Sequence, residues 1–210
     1  MSHPGGHEGC SCCSEGGSED PLEMGIQYSL YKRIDLENLE CLNEEEDGSG
    51  KTVFKPYESK LDTSQFVQSD SDEELLFNIP FTGNVKLKNI RIAGGDDDSH
   101  PKMVKLYKNR PKMAFDDTSV KADQELQLTK DPTASLEYPV KTAIFSGIHH
   151  LSLYFPSNFG NDKTKIYYIG LRGEYTEAHH HGVTICNYEI RPNIHDHECK
   201  TYDPTNFTIQ

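Results

Sequence analysis

The chain has 210 residues, with 34 Asp and Glu against 21 Lys and Arg and a formal net charge of −13. This length suits one domain with or without tails. The acidic balance argues against nucleic acid and anionic membranes as partners, because both require a basic surface on the protein.

No apolar run approaches the length of a membrane span. No basic residue precedes Lys32, so the n-region of a signal peptide is missing. The cysteines do not form the even framework of a small secreted domain. We therefore expect a soluble monomer of the cytoplasm and nucleus, with reduced thiols.

The first 21 residues form a head rich in Gly, Ser, His and Cys. Such a composition buries too little apolar surface to offset its ordering entropy, so we expect a flexible head, and likewise a flexible tail over residues 193–210. The head holds soft metal ligands, namely His3, His7, Cys10, Cys12 and Cys13. They suit zinc or copper, but they lack apolar support, so we expect adventitious metal only and no required cofactor.

Residues 22–192 contain short apolar runs separated by turn residues. Residues 24–42 fit both a helical stripe and strand alternation. The runs that predict strands are residues 74–79, 85–92, 103–107, 126–128, 140–145, 149–155, 165–171 and 183–190. In the second run Val85 and Leu87 share one phase while Ile90 and Ile92 share the other, which predicts a bulge. About eight strands with nothing of helical length predict an all-β sandwich or barrel.

One motif invites a nucleotide-binding interpretation. Residues 48–52, Gly-Ser-Gly-Lys-Thr, match the end of a phosphate-binding P-loop. Acidic residues precede the motif where a strand is required, and Pro56 follows where a helix is required. We therefore predict no nucleotide site. The chain also has no Gly-x-Ser-x-Gly motif, and we expect no enzyme.

Three acidic loops are candidates for partner binding: residues 43–47, the run Asp96, Asp97 and Asp98, and the pair Asp116 and Asp117. Carboxylates after a Gly-Gly turn suit a hard cation such as calcium. They equally suit a solvated turn closed by Pro101, which the missing calcium-loop spacing favours. Exposed carboxylates would also steer the domain to a basic patch on another protein.

An aromatic segment is a second candidate. Phe54, Lys55 and Tyr57 would supply a partner-binding anchor if they are exposed. The alternative is that Phe54 and Tyr57 are core residues.

Several segments resemble the PITH family, the proteasome-interacting thioredoxin domain. The resemblance lies in residues 53–58 (VFKPYE), 72–81 (DEELLFNIPF), 84–88 (NVKLK), 96–101 (DDDSHP), 113–117 (MAFDD), 158–160 (NFG) and 168–175 (YIGLRGEY). It implies a jelly-roll β-sandwich of the galactose-binding-like class with a role in protein interaction. In the family's thioredoxin-like member, this domain attaches a thioredoxin module to the 26S proteasome.

The chain departs from that pattern because it has no thioredoxin module, so redox activity does not carry over. The resemblance therefore implies a non-catalytic adaptor with the 26S proteasome as partner. The alternative is a lectin-like or calcium-dependent ligand-binding sandwich. Sugar sites usually stack the ring on an exposed aromatic, preferably Trp, and this chain has no Trp.

Overall fold

The computed structural model describes residues 28–177. The expected head and tail, the head's metal-ligand candidates and the predicted strand at residues 183–190 lie outside this range. No helix in the described part has the length and apolarity to cross a bilayer.

Antiparallel strands dominate the structure, which confirms the all-β prediction. They are β1 (Glu40–Leu42), β2 (Val67–Gln68), β3 (Leu75–Gly94), β4 (Met103–Lys108), β5 (Gln124–Gln127), β6 (Tyr138–Pro139), β7 (Ile148–Phe155) and β8 (Lys165–Thr176). The only helical elements between residues 28 and 177 are short: α1 (Ser49–Thr52) and 3-10 turns at Tyr31–Arg33, Tyr57–Ser59 and Phe115–Ser119.

The long strand β3 joins two layers. Its first half pairs with β1 and β7, and its second half pairs with β6 and β8. The register against β7 shifts between Pro80 and Val85, where the strand bends from one layer to the other. The layers are therefore β1-β3-β7-β4-β5 and β6-β3-β8-β2. The two predicted runs at residues 74–79 and 85–92 are parts of one strand.

The main core lies between the layers. Alternate side chains of both layers point into it, as period-two alternation requires; they include Phe77, Ile79, Val104, Leu106, Leu151, Leu153, Phe155, Ile169 and Leu171. The pairing of β3 with β8 shifts between Leu87 and Asn89. This bulge places both Leu87 and Ile90 in the core, which confirms the predicted change of phase.

The strand predicted at residues 140–145 is wrong. That segment is a turn in which the Phe145 N–H donates to the Lys141 carbonyl at 3.0 Å. Val140 and Phe145 are nevertheless buried in the core. A loop whose apolar side chains are buried in the core has the same apolar pattern as a strand, so the pattern alone could not distinguish the loop from a strand.

Candidate functional site

The loops at one end of the sandwich form the candidate site. Both ends of β3 lie beside the β7–β8 connection, because Leu75 pairs with Phe155 and Gly94 pairs with Ile166. The hydroxyl of Thr164 in that connection donates to the Glu73 carbonyl at 2.6 Å. Residues 43–47, 69–74, 95–102 and 156–164 therefore gather at one end, which we call the acidic end.

Carboxylates greatly outnumber ammonium groups at the acidic end. Its loops carry Lys102 and Lys163 against Glu44, Glu45, Glu46, Asp47, Asp70, Asp72, Glu73, Glu74, Asp96, Asp97, Asp98 and Asp162. Glu45 reaches Lys163 at 3.0 Å, so the 43–47 loop and the β7–β8 connection are in direct contact. The fold thus brings together two of the three acidic loops predicted as candidates.

A cleft of about 530 Å³ lies between the 95–102 loop, the β7–β8 connection and the first residues of β8. Its lining includes Asp96, Asp97, Asn161, Lys163 and Tyr167. Carboxylate, amide and ammonium groups around one aromatic ring suit the recognition of polar groups on a partner surface.

Hydrogen bonds and an ion pair stabilise the turn that contains Asp96, Asp97 and Asp98. Asp97 accepts hydrogen bonds from the N–H and the hydroxyl of Ser99, and these bonds hold the pKa of Asp97 below its ordinary value. Asp98 pairs with Lys130 at 2.5 Å, and Asp96 is exposed. Within residues 28–177 no group of three His, Cys, Asp or Glu side chains could hold a metal ion. Asp97 and Asp98 are therefore already engaged by other residues of the chain, and Asp96 faces solvent.

The third acidic pair lies elsewhere. Asp116 and Asp117 belong to the 3-10 turn Phe115–Ser119, which covers the outer face of the first layer through the contact of Phe115 with Tyr154. Asp117 accepts a hydrogen bond of 3.0 Å from the Ala114 N–H and so caps its own turn. This pair does not line the cleft.

The exposed-anchor hypothesis for Phe54 and Lys55 is wrong. Phe54 is 3% exposed and packs edge-to-face on Phe77, with ring centroids 5.9 Å apart. Lys55 is also buried, and its ammonium donates to the carbonyls of Asp62 at 2.6 Å and Gln65 at 3.4 Å. The alternative that Phe54 is a core residue holds, and Lys55 organises the loop that follows it.

Tyr57 is half-buried beside a charge cluster on the outer face of the second layer. The Arg91 guanidinium lies 4.6 Å from the Tyr57 ring centroid. Glu137 binds both Arg91 and Arg172 through one carboxylate oxygen. Burial alone would raise the pKa of Glu137, and the bonds from the two guanidinium groups outweigh it, so that pKa is lowered. These charges are paired with one another, which makes the cluster structural.

Exposed aromatic surface occurs instead at Phe66, which the sequence reasoning missed. The Phe66 side chain is 37% exposed and contacts Tyr167 edge-to-face at 5.9 Å beside the cleft. The Lys165 ammonium lies 4.1 Å from the Phe66 ring centroid. In the sequence, Phe66 is a single aromatic residue after a polar run, and this pattern does not predict whether its side chain faces the core or the solvent.

The P-loop-like motif holds a carboxylate from its own chain. The Glu44 side chain accepts hydrogen bonds of 2.6 Å from the N–H groups of Gly48 and Gly50, and the Ser49 hydroxyl lies 3.2 Å away. These donors would have to cradle a phosphate in a nucleotide site. Glu44 already satisfies them, which agrees with the prediction that no nucleotide binds here.

Comparison with known proteins identifies the family. A model of the PITH domain matches residues 20–192. This chain belongs to the PITH domain family. A PITH domain-containing protein of Drosophila melanogaster is 63% identical over the full length of both chains. Human PITH domain-containing protein 1 is 57% identical over 97% of this chain and 95% of its own length.

A solved structure shows the same fold at low identity. The CBM32-1 and CBM32-2 domains of Clostridium perfringens ZmpB, in complex with GalNAc, match with a TM-score of 0.56 and 10% identity. The match covers 74% of this PITH chain and 39% of that chain. It confirms the galactose-binding-like jelly roll and carries no information on ligand. The PITH family fits a non-catalytic interaction module.

Proposed function

We propose that this PITH domain is a non-catalytic adaptor whose acidic end binds a basic surface of a partner protein, and that the partner is the 26S proteasome. The observation that carries the proposal is the gathering of acidic loops at one end of the sandwich, beside a cleft lined by Asp96, Asp97 and Asp162. Family membership supports the interaction role. The choice of partner is motivated by the family's thioredoxin-like member, whose domain of this type attaches it to the proteasome.

The charge distribution favours one orientation of approach. The opposite end, around the bend of β3, carries charges of both signs: Lys32, Arg33, Lys108, Arg110 and Lys112, with Asp35, Glu37 and Glu40 nearby. The Arg33 carbonyl accepts a hydrogen bond of 3.3 Å from Thr82 in the bend, and Lys112 lines a cleft with Pro80. A protein whose carboxylates are concentrated at one end is oriented as it approaches a basic surface, which raises the association rate.

The loops of the acidic end are also held in place. The Glu45 N–H donates to the Gln68 carbonyl at 2.9 Å, and the Lys102 N–H donates to the Ser157 carbonyl at 2.9 Å. Loops fixed on a rigid β-scaffold lose little entropy on binding, which is why binding residues concentrate on such loops.

Binding of the full chain to purified 26S particles tests the proposal. We expect affinity to fall as salt rises from about 50 to about 300 mM, because exposed charge pairs are screened. Asp96→Asn combined with Asp162→Asn removes two exposed carboxylates from the acidic end. At about 0.2–1 kcal/mol for each pair, affinity should fall about 2- to 30-fold.

A matched control removes the same charge elsewhere. Glu37→Gln combined with Glu40→Gln changes two exposed carboxylates outside the acidic end. This variant should bind within about twofold of the wild type, since surface charges outside the interface contribute little. Equal losses in both variants would refute the role of the acidic end, and no binding by the wild-type chain would refute the proteasome as partner.

A further inference from the structure

A preorganised loop stands next to the cleft of the acidic end. We call residues 61–66 the anchor loop. The buried Lys55 ammonium holds this loop by donating hydrogen bonds to the carbonyls of Asp62 and Gln65. The Asp62 carboxylate also accepts a hydrogen bond of 2.9 Å from the Ser64 N–H, which closes a tight turn inside the loop. The loop is therefore held to the body of the domain by Lys55 and stabilised internally by Asp62.

The anchor loop presents two apolar side chains to solvent. Leu61 is 63% exposed and Phe66 is 37% exposed, and they flank the segment that Lys55 ties down. The Phe66 ring contacts both Lys165 and Tyr167, and these contacts restrict its orientation. An exposed aromatic ring that is already packed in one place is typical of a binding anchor, because little further rotamer entropy is lost on association. Leu61 adds exposed apolar area beside this ring.

We propose that Leu61 and Phe66 are the apolar anchor of the acidic end, and that their partner is a basic protein segment carrying an apolar side chain. This inference rests on the proposed function and assigns its contacting residues. Lys55 is a positioning residue, since it holds the loop and does not reach the partner.

Charge complementarity decides the kind of occupant. The exposed carboxylate of Asp62 lies within the anchor loop, and Asp96 and Asp97 line the adjoining cleft. Lys163 and Lys165 also line this cleft, but together with Asp162 the carboxylates outnumber the ammonium groups. The region therefore favours a partner with an apolar centre and a basic rim, because an acidic rim would be repelled. The anchor supplies affinity, while the surrounding charges supply specificity and speed of association.

The test compares two pairs of exposed apolar residues for binding to 26S particles. Leu61→Ala with Phe66→Ala should lower affinity at least about tenfold, as expected for a central anchor. Val120→Ala with Ile144→Ala is the matched control; these side chains are 50% and 39% exposed and lie outside the acidic end. The control should bind like the wild type, and both variants should melt close to the wild type because the truncated side chains are exposed.

Lys55→Met tests the positioning role separately. Met fills the same space without the ammonium, so the carbonyls of Asp62 and Gln65 lose their donor. Amide exchange should speed up in residues 61–66 while the strands keep their protection, and affinity for 26S particles should fall. Unchanged exchange in residues 61–66 would refute the role of Lys55.

The outcomes separate this inference from the proposed function. If the wild-type chain binds 26S particles and the Leu61/Phe66 variant binds equally well, the anchor is refuted and the proposed function stands. If the wild-type chain does not bind, the proposed partner is refuted and the anchor with it. A photo-crosslinker at position 66 that captures a proteasome subunit, with none captured from position 120, supports the anchor directly.

Discussion

The Nε2 atom of His100 accepts a hydrogen bond of 3.1 Å from the backbone N–H of Asp131. The imidazole is fully buried, and its Nδ1 lies 2.7 Å from the Pro101 carbonyl. Because a carbonyl only accepts, Nδ1 must carry the proton and the ring must be neutral. Gly94 leaves the space for this ring, since a Cβ at that position would lie 2.6 Å from the imidazole. The ring thus ties the β3–β4 connection to the loop at Asp131.

We predict that the protein loses stability as the pH falls from about 7.5 to about 5.5. Burial lowers the pKa of His100, and the opposing effects of its hydrogen bonds and of Asp131 do not restore the ordinary value. The unfolded chain therefore takes up a proton near about pH 6.5 that the folded chain excludes, so the stabilisation is present above this pH and is lost below it. Urea unfolding at the two pH values measures the loss.

Two variants isolate the histidine responsible for this pH effect. His100→Gln should cost about 1–3 kcal/mol at the higher pH, because buried partners lose their hydrogen bonds, and its stability should depend less on pH than that of the wild type. His149→Gln changes an exposed histidine and should keep the wild-type dependence. An unchanged dependence in His100→Gln would show that another group causes the loss.

Glu137 is predicted to stabilise the outer face of the second layer. Its carboxylate holds Arg91 and Arg172, whose side chains are only 11% and 15% exposed. Glu137→Gln leaves two poorly solvated guanidinium groups without their anion, which should lower the free energy of unfolding by about 1.5–3 kcal/mol. Chemical denaturation at neutral pH measures this cost.

The exposed carboxylate of Glu174 provides the control. It pairs with Lys86 and Lys88, and its side chain is 47% exposed. Glu174→Gln should cost much less than Glu137→Gln, because exposed ion pairs contribute little. Since the pKa of Glu137 is lowered in the folded state, its contribution should disappear as the pH falls below about 4.5. A larger loss from Glu174→Gln than from Glu137→Gln would contradict this assignment.

The parts of the fold that depend on local alternation could be predicted from sequence. The bulge follows from the change of phase between Leu87 and Ile90, because the alternation of apolar and polar residues along a strand can be read directly from the sequence. The bend of β3 could not be predicted in this way. Its two halves look like separate strands, and only their pairing with β7 and β8 shows that they are continuous.

The candidate site depended on information that the sequence does not carry. The acidic character of the loops was visible, but their meeting depends on contacts between distant positions such as Glu45 and Lys163. Lys55 was misjudged because a lysine is rarely buried, and only the carbonyls of Asp62 and Gln65 explain its burial. Phe66 was missed because whether a single aromatic points inward is decided by tertiary packing.

Gly173 is predicted to be required for the contact between β3 and β8. A Cβ at this position would lie 2.2 Å from the Lys86 carbonyl oxygen, and that oxygen cannot move without disturbing the strand pairing. Gly173→Ala should therefore cost about 1–3 kcal/mol or more through overpacking, measured by denaturant unfolding. At Gly147, φ is 65° and no atom outside the neighbouring residues lies within 4 Å of the Cβ position. Gly147→Asn should therefore cost about 1 kcal/mol or less, since Asn tolerates the left-handed conformation better than other side chains do. Similar costs for the two variants would argue against the steric explanation.

Phe54 and Phe66 are predicted to have opposite roles although both are aromatic residues close together in the sequence. Phe54 contacts Phe77, which in turn contacts Phe155, each pair edge-to-face at 5.9 Å within the core. Phe54→Ala should leave a cavity and lower the free energy of unfolding by about 3–5 kcal/mol. Phe54→Leu should cost much less, because it keeps most of the buried volume.

Phe66→Ala should lower the free energy of unfolding by about 1 kcal/mol, far less than Phe54→Ala, because the Phe66 ring is partly solvated and contacts the half-buried Tyr167 and Lys165. Its effect should appear in partner binding instead. Calorimetric melting and 26S binding, measured on the same preparations, separate the two roles. If Phe66→Ala proved as destabilising as Phe54→Ala, its ring would belong to the folded core, and any loss of binding would follow from unfolding. Normal melting with weakened binding is the result that only an interface residue produces.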